Sequence, residues 1–217
     1  MLSGAIVSQA QTTEVSNKRH ILPEGAWGVE VGLNATSALL LAVKKDPDSS
    51  NLNPYLLQLR LSKGKWGVHA GGGGKHNHSF NSVAGFADSQ TKDTDELQFR
   101  VGPDYRVDLG KRFMAHVGLD YVLHYFKNKI ITDSGYDVIE AINQQSLHGV
   151  GCTAGVSYQI TPRLALMTEA NFQWLTGYRD SARKFKNFPE LNDNLNNEKI
   201  STVRKSVLGG VFLMWRF

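Results

Sequence analysis

The sequence predicts an all-β fold: an eight-stranded antiparallel up-and-down transmembrane β-barrel. Three observations carry this. Apolar residues recur with period two along most of the chain. Short and long connections between these segments alternate strictly. The last seven residues, Val211-Phe212-Leu213-Met214-Trp215-Arg216-Phe217, alternate toward an aromatic carboxy-terminus.

In the first strand Trp27, Val29, Val31 and Leu33 alternate with Gly28, Glu30, Gly32 and Asn34. The second sets Tyr55, Leu57, Leu59 and Leu61 against Leu56, Gln58, Arg60 and Ser62. Lys63-Gly64-Lys65 turns the chain into a third, where Trp66, Val68 and Ala70 oppose Gly67, His69 and Gly71. In the fourth, Phe99, Val101, Tyr105 and Val107 face away from Arg100, Gly102, Arg106 and Asp108. Pro103 lies within it and has no N–H for the ladder, so a bulge or local bend is expected there.

Beyond Leu109-Gly110-Lys111-Arg112 comes the longest run. Phe113, Ala115, Val117, Leu119, Tyr121, Leu123 and Tyr125 share one face, and Met114, His116, Gly118, Asp120, Val122 and His124 the other. Val150 to Ile160 and Leu164 to Trp174 follow, joined by Thr161-Pro162-Arg163, and the last strand starts near Val203. Cys152, the single cysteine, falls at a strand position and reads as a small buried or lipid-facing hydrophobe.

Four connections are long and polar: 35–53, 74–95, 126–146 and 176–201. Their alternation with tight turns puts all short turns at one rim and all long loops at the other, as periplasmic turns and extracellular loops are arranged. The apolar run Ala38 to Val43 in the first loop fits either a strand extension or a short helix.

The two faces differ in kind. One is aliphatic with aromatics near its ends. Trp27, Trp66, Phe113, Tyr158, Trp215 and Phe217 stand toward the short-turn rim, and Tyr55, Tyr125 and Trp174 toward the long-loop rim, as two aromatic girdles would. The other face is rich in glycine and charge, with Glu30, Arg60, Arg100, Asp104, Arg106, Asp120 and Glu169 expected to form a polar network inside the barrel. Buried charges must be paired and hydrogen-bonded, and eight strands enclose a space that side chains just fill, so a plugged core is expected instead of an open pore.

Composition agrees. No apolar run is long enough for a transmembrane helix, and the mean hydropathy of −0.29 suits a barrel in which only alternate residues meet lipid. A net charge of +4, spread without a basic stripe, argues against nucleic-acid binding. Residues 1–10 resemble the tail of a secretory signal: Gly4-Ala5-Ile6-Val7 is apolar, and Ser8-Gln9-Ala10 supplies small residues at the cleavage positions. An ordinary terminus is the alternative. Residues 11–24 would then be a periplasmic segment and 25–217 the barrel domain.

The strand plan, the Ile160-Thr161-Pro162-Arg163-Leu164 turn and the Trp215-Arg216-Phe217 ending resemble the OmpA/OmpX-type outer-membrane β-barrel family from about Gly25 to Phe217. The resemblance implies residence in the bacterial outer membrane as a monomer among lipopolysaccharide and phospholipid. It also implies insertion by the outer-membrane assembly machinery, with Val211, Leu213, Trp215 and Phe217 as the recognition signal. Family roles are structural, adhesive or immune-evading, with an extracellular ligand on the loops; a few members modify lipid A. No cell-wall-binding domain is expected after the last strand, and no cofactor is implied.

Other chemistry is less well supported by the residues. Ala70 to Lys75 (AGGGGK) fails the phosphate-loop pattern, with His69 where the first glycine belongs and His76 where Ser or Thr belongs. Gly149, Gly151 and Gly155 miss dinucleotide spacing. His76 and His78 could share a metal but lack an evident third ligand, so no metal site is expected. A lipid A-modifying enzyme would need a Ser–His–acid contact, for which His78, Ser79, His124 and His148 with Asp93, Asp95 or Glu96 are the candidates; no catalytic residue is assigned. A narrow channel lined by the interior charges is a further alternative. A soluble lipocalin-like barrel would need its aliphatic face inside.

Overall fold

The computed structural model describes residues 27–36, 38, 55–82, 89–206 and 210–217. Nine strands run through them: β1 (Trp27–Asn34), β2 (Leu57–Lys63), β3 (Trp66–Ser82), β4 (Ser89–Asp108), β5 (Phe113–Asp133), β6 (Val138–Thr161), β7 (Leu164–Phe185), β8 (Asp193–Ser206) and β9 (Val211–Arg216). A short 3-10 turn, Pro189–Leu191, lies between β7 and β8.

All pairings are antiparallel, in the order β6-β5-β4-β3-β2-β1-β9-β7-β8, and a β6–β7 pairing closes the ring. β8 pairs with the far part of β7 and β9 with its near part, so the two share one position and the ring has eight strands. The register shifts between them. Asn171 faces Ser206, so an unbroken ladder would set Thr168 opposite residue 209, yet it faces Val211. The predicted eight-stranded antiparallel up-and-down barrel is formed.

The tight turns lie where expected, with Gly64 (φ 60°) and Gly110 (φ 149°) in a backbone region that side-chain-bearing residues rarely enter. The long connections differ from expectation. Residues 74–82 and 89–95 belong to β3 and β4, and 126–133 and 138–146 to β5 and β6. Likewise 176–185 and 193–201 belong to β7 and β8, and the last strand position is occupied from Asp193, well before Val203. Hydropathy alternates only where the two faces meet different solvents. Where both meet water the backbone ladder continues and the alternation fades. Predicted loop segments are thus sheet, and the β5–β6 turn is confined to Ser134–Asp137.

Pro103 produces no bulge. Val101 faces Tyr121 and Asp104 faces Gly118 in one unbroken register, but the pairs between them are missing from the β4–β5 ladder. The proline opens the ladder without shifting it. Residues 1–24, most of 35–53, and with it the Ala38–Val43 run beyond Ala38, lie outside the described residues.

Candidate functional site

The site is the barrel interior, assembled from alternate residues of every strand. Glu30, Arg60, Arg100, Asp104, Arg106, Asp120 and Glu169 are all buried, none more than 5% exposed. They form two linked groups.

Near the short-turn rim Glu30 lies across the ladder from Arg60 on one side and Arg216 on the other. Arg216 donates from Nε (2.9 Å) and Nη2 (2.6 Å), and Arg106 Nη1 from 3.2 Å. Asp104 is shared by Arg60 Nε (3.1 Å) and Arg106 Nε (3.4 Å).

In the middle Arg100 is fully buried. It donates to Glu169, to Asn171 Oδ1 (2.6 Å) and to Thr153 Oγ1 (3.1 Å), and stands 3.8 Å from Asp120. Asp120 also accepts from Thr153 and meets His69 Nε2 at 2.5 Å. Four guanidinium groups face four carboxylates, so the network is electrically balanced. Glycines across the ladder make the room: a Cβ on Gly71 would lie 2.9 Å from Arg100 Nε, and one on Gly155 would collide with His116.

Tyr55, expected in the outer girdle, is instead fully buried. It precedes β2, separated from it by a bend at Leu56, so the pleat does not govern its direction. Arg100 stacks over its ring at 4.2 Å, and Gln173 donates to its hydroxyl at 2.8 Å. The other girdle residues, Trp27, Trp66, Phe113, Tyr125, Tyr158 and Trp174, lie on the outer face, the first three and Trp174 well exposed. Val211, Leu213, Trp215 and Phe217 also point outward.

Sequence reasoning overlooked His69 and His116 as network members, although alternation sets both on the inner face. His116 lies 4.0 Å from Glu169, with neither ring nitrogen hydrogen-bonded. Nearer the hairpin end, Glu96 accepts from His124 Nε2 (2.9 Å) and Arg204 Nη1 (3.3 Å).

Outside, where β3 and β4 run past the apolar band, His76 faces Asp95 and His78 faces Asp93, with Nδ1–Oδ1 distances of 2.6 and 2.5 Å. The hydrogen bond to Asp95, then that residue's charge, raises the His76 pKa above its usual value. On β6, Glu140 accepts from Lys129 at 2.8 Å, which lowers its pKa. Among the described residues no histidine has a serine hydroxyl in hydrogen-bond contact; His148 stacks edge-on against Tyr121 on the outer face. Also among the described residues, no group of three or more His, Cys, Asp or Glu is placed to hold a metal.

Comparison with protein-family models, curated proteins and solved structures finds no match.

Proposed function

We propose that this chain is a bacterial outer-membrane β-barrel protein of the OmpA/OmpX type, with a closed interior and a structural or surface-recognition role. The inversion of its two faces carries the reading. Leucines, valines and aromatics stand exposed around the outside, while the most deeply buried large side chains include Arg60, Arg100, Gln58, Gln98 and Glu169. In water such a molecule would expose its apolar surface; in a bilayer that surface meets hydrocarbon and the cost vanishes, while the buried charges offset one another inside the ring in either medium. On β5 the outward apolar run reaches from Phe113 to Tyr125, twelve residue steps, enough for a tilted strand to cross ~25 Å of hydrocarbon.

The balanced network favours a plug over a pore, since each charge is neutralised by a neighbour and none needs a water column. Recognition falls to the strands that rise beyond the band, and the outward residues of β9 serve as the signal for the assembly machinery. The experiment is refolding from residue 11 in detergent, with boiled and unboiled samples compared on a denaturing gel. A heat-dependent shift with β-rich circular dichroism is expected. A protein soluble without detergent and showing no shift overturns the membrane reading, and discrete conductance steps in a planar bilayer overturn the plug.

A further inference from the structure

The interior charges are matched, so the excess charge of the molecule lies elsewhere. The tight turns at 63–65, 108–112 and 161–163 carry Lys63, Lys65, Lys111, Arg112 and Arg163, all exposed. Asp108 is the one acidic side chain in these segments, and it accepts from the backbone N–H of Gly110 at 3.3 Å. Five cations against one acid leave an excess of four, equal to the formal net charge of the whole chain, +4. Among the described residues none of the five has a carboxylate partner, whereas beyond the apolar band Lys129, Arg179 and Arg204 each face one. Glu30 and Asp104, inside the same end of the barrel, are buried and already held by Arg60, Arg106 and Arg216.

Their placement says what they meet. In the eight-stranded ring the turns stand at three of the four corners of this end. Lys63 lies across the ladder from Trp27 and reaches toward the fourth, where β1 begins, with its ammonium 5.6 Å from that ring's centroid. The cations therefore encircle the barrel, which suits a charged plane around its circumference better than a compact partner docked on one flank. Each also lies beside an aromatic ring of the outer face. Arg112 Nη1 donates to the Tyr158 hydroxyl at 3.1 Å. Lys65 precedes Trp66, which packs edge-on against Tyr105 at 4.9 Å, and Arg163 precedes Leu164, the ladder partner of Trp215. Amphipathic rings settle at the level of lipid headgroups, and long basic side chains extend from that level toward water.

We infer that the short-turn rim binds phospholipids with a net negative headgroup in the leaflet that surrounds it. The inference rests on the membrane reading, in which that leaflet is the periplasmic one. Lysine and arginine near an anionic surface add their attractions, and these fall off within a screening length. The turn cations thus act on the lipids next to the barrel and not on the whole leaflet.

Tryptophan reports on this rim, since Trp27, Trp66 and Trp215 stand there and Trp174 lies farther along β7 from its turn. The refolded full chain is placed in phosphatidylcholine vesicles that hold a minor fraction of phosphatidylglycerol with brominated chains, or the same fraction of brominated phosphatidylcholine. In a Trp174→Phe protein, quenching at least twofold stronger by the phosphatidylglycerol is expected. That preference should vanish when all five cations are changed to Gln, and in 1 M salt, where the screening length falls to about 3 Å. It should also be weaker in a protein whose three rim tryptophans are changed to Phe, leaving Trp174. Equal quenching by the two lipids, with the heat-dependent gel shift intact, overturns the lipid and leaves the rim to an acidic protein. Loss of both the shift and all quenching is instead a failure of the membrane reading. A preference unchanged in the five-residue variant, or as strong at Trp174 alone, overturns the assignment to this rim. If that variant does not fold, Lys63→Gln with Lys65→Gln and the salt series decide: a preference that survives both overturns the proposal.

Discussion

Arg100 is the residue on which most of the interior converges. Glu169, Asp120, Asn171, Thr153 and the Tyr55 ring all use it, and it is fully buried. Arg100→Ala would leave Glu169 and Asp120 without that cation in a dry interior, and removing one partner of a buried pair costs about 3–5 kcal/mol. A clear fall in the urea midpoint of the refolded protein is expected, with Arg100→Lys intermediate because an ammonium neutralises charge but cannot reproduce the fork. An unchanged midpoint in Arg100→Ala would mean the network contributes little. The space these side chains fill also explains glycines that lie opposite some of them, as Gly71 does to Arg100 and Gly67 to Asp104.

At the scale of elements, the extensions beyond the apolar band are held by contacts of a different kind. Asp137 fastens the β5–β6 turn to the chain after β7, accepting from the backbone N–H of Val138 and of Asn187, each at 2.8 Å. Asp137→Ala should free the turn at a local cost of about 1–3 kcal/mol, seen as faster amide exchange and earlier proteolysis near residue 136 with an unchanged gel shift. Two pairs, His76–Asp95 and Lys129–Glu140, make the extensions pH-dependent with opposite signs. His76 has its pKa raised, so its contribution is complete below the ordinary imidazole value near 6.5 and is lost as pH rises through the higher folded value. Glu140 has its pKa lowered, so its contribution is complete above 4.5 and lost as pH falls through the lower folded value. Amide exchange corrected for intrinsic rate should thus show greatest protection of both hairpins between these limits. His76→Gln should abolish the loss on the alkaline side for β3–β4; a pH response unaltered by that change would rule the pair out as its source.

At the scale of the whole molecule the question is which medium surrounds the barrel. Val117 points outward near the middle of the β5 apolar run and is well exposed. Val117→Arg should cost about 2–4 kcal/mol in a bilayer, where a charge at mid-depth is unfavourable. In water an exposed Val→Arg change on a sheet surface is nearly neutral. Folding efficiency into vesicles, compared with Lys127→Arg beyond the band, separates the two. A Val117→Arg protein that folds into vesicles as readily as the Lys127→Arg protein would count against lipid contact at that face.

Period-two alternation by itself determined the strands of the band, their tight turns, and the side on which Glu30, Arg60, Arg100, Asp104, Arg106, Asp120 and Glu169 lie, because the pleat fixes side-chain direction once one face is apolar. It was silent where that contrast ends. The strand extensions were read as loops because water on both faces erases the pattern while the ladder persists, and Tyr55 was misdirected because it stands ahead of the strand whose pleat it was assigned. Which carboxylate meets which guanidinium depends on stagger between strands far apart in the chain, and the opening at Pro103 without a bulge on the β4–β5 register. Only closure of the β6–β7 pairing brings Arg100 to Glu169. Alternation orders residues along one strand and carries no information on how the strands slide against each other, so the faces were legible in the sequence and the contacts across the barrel were decided by the ring.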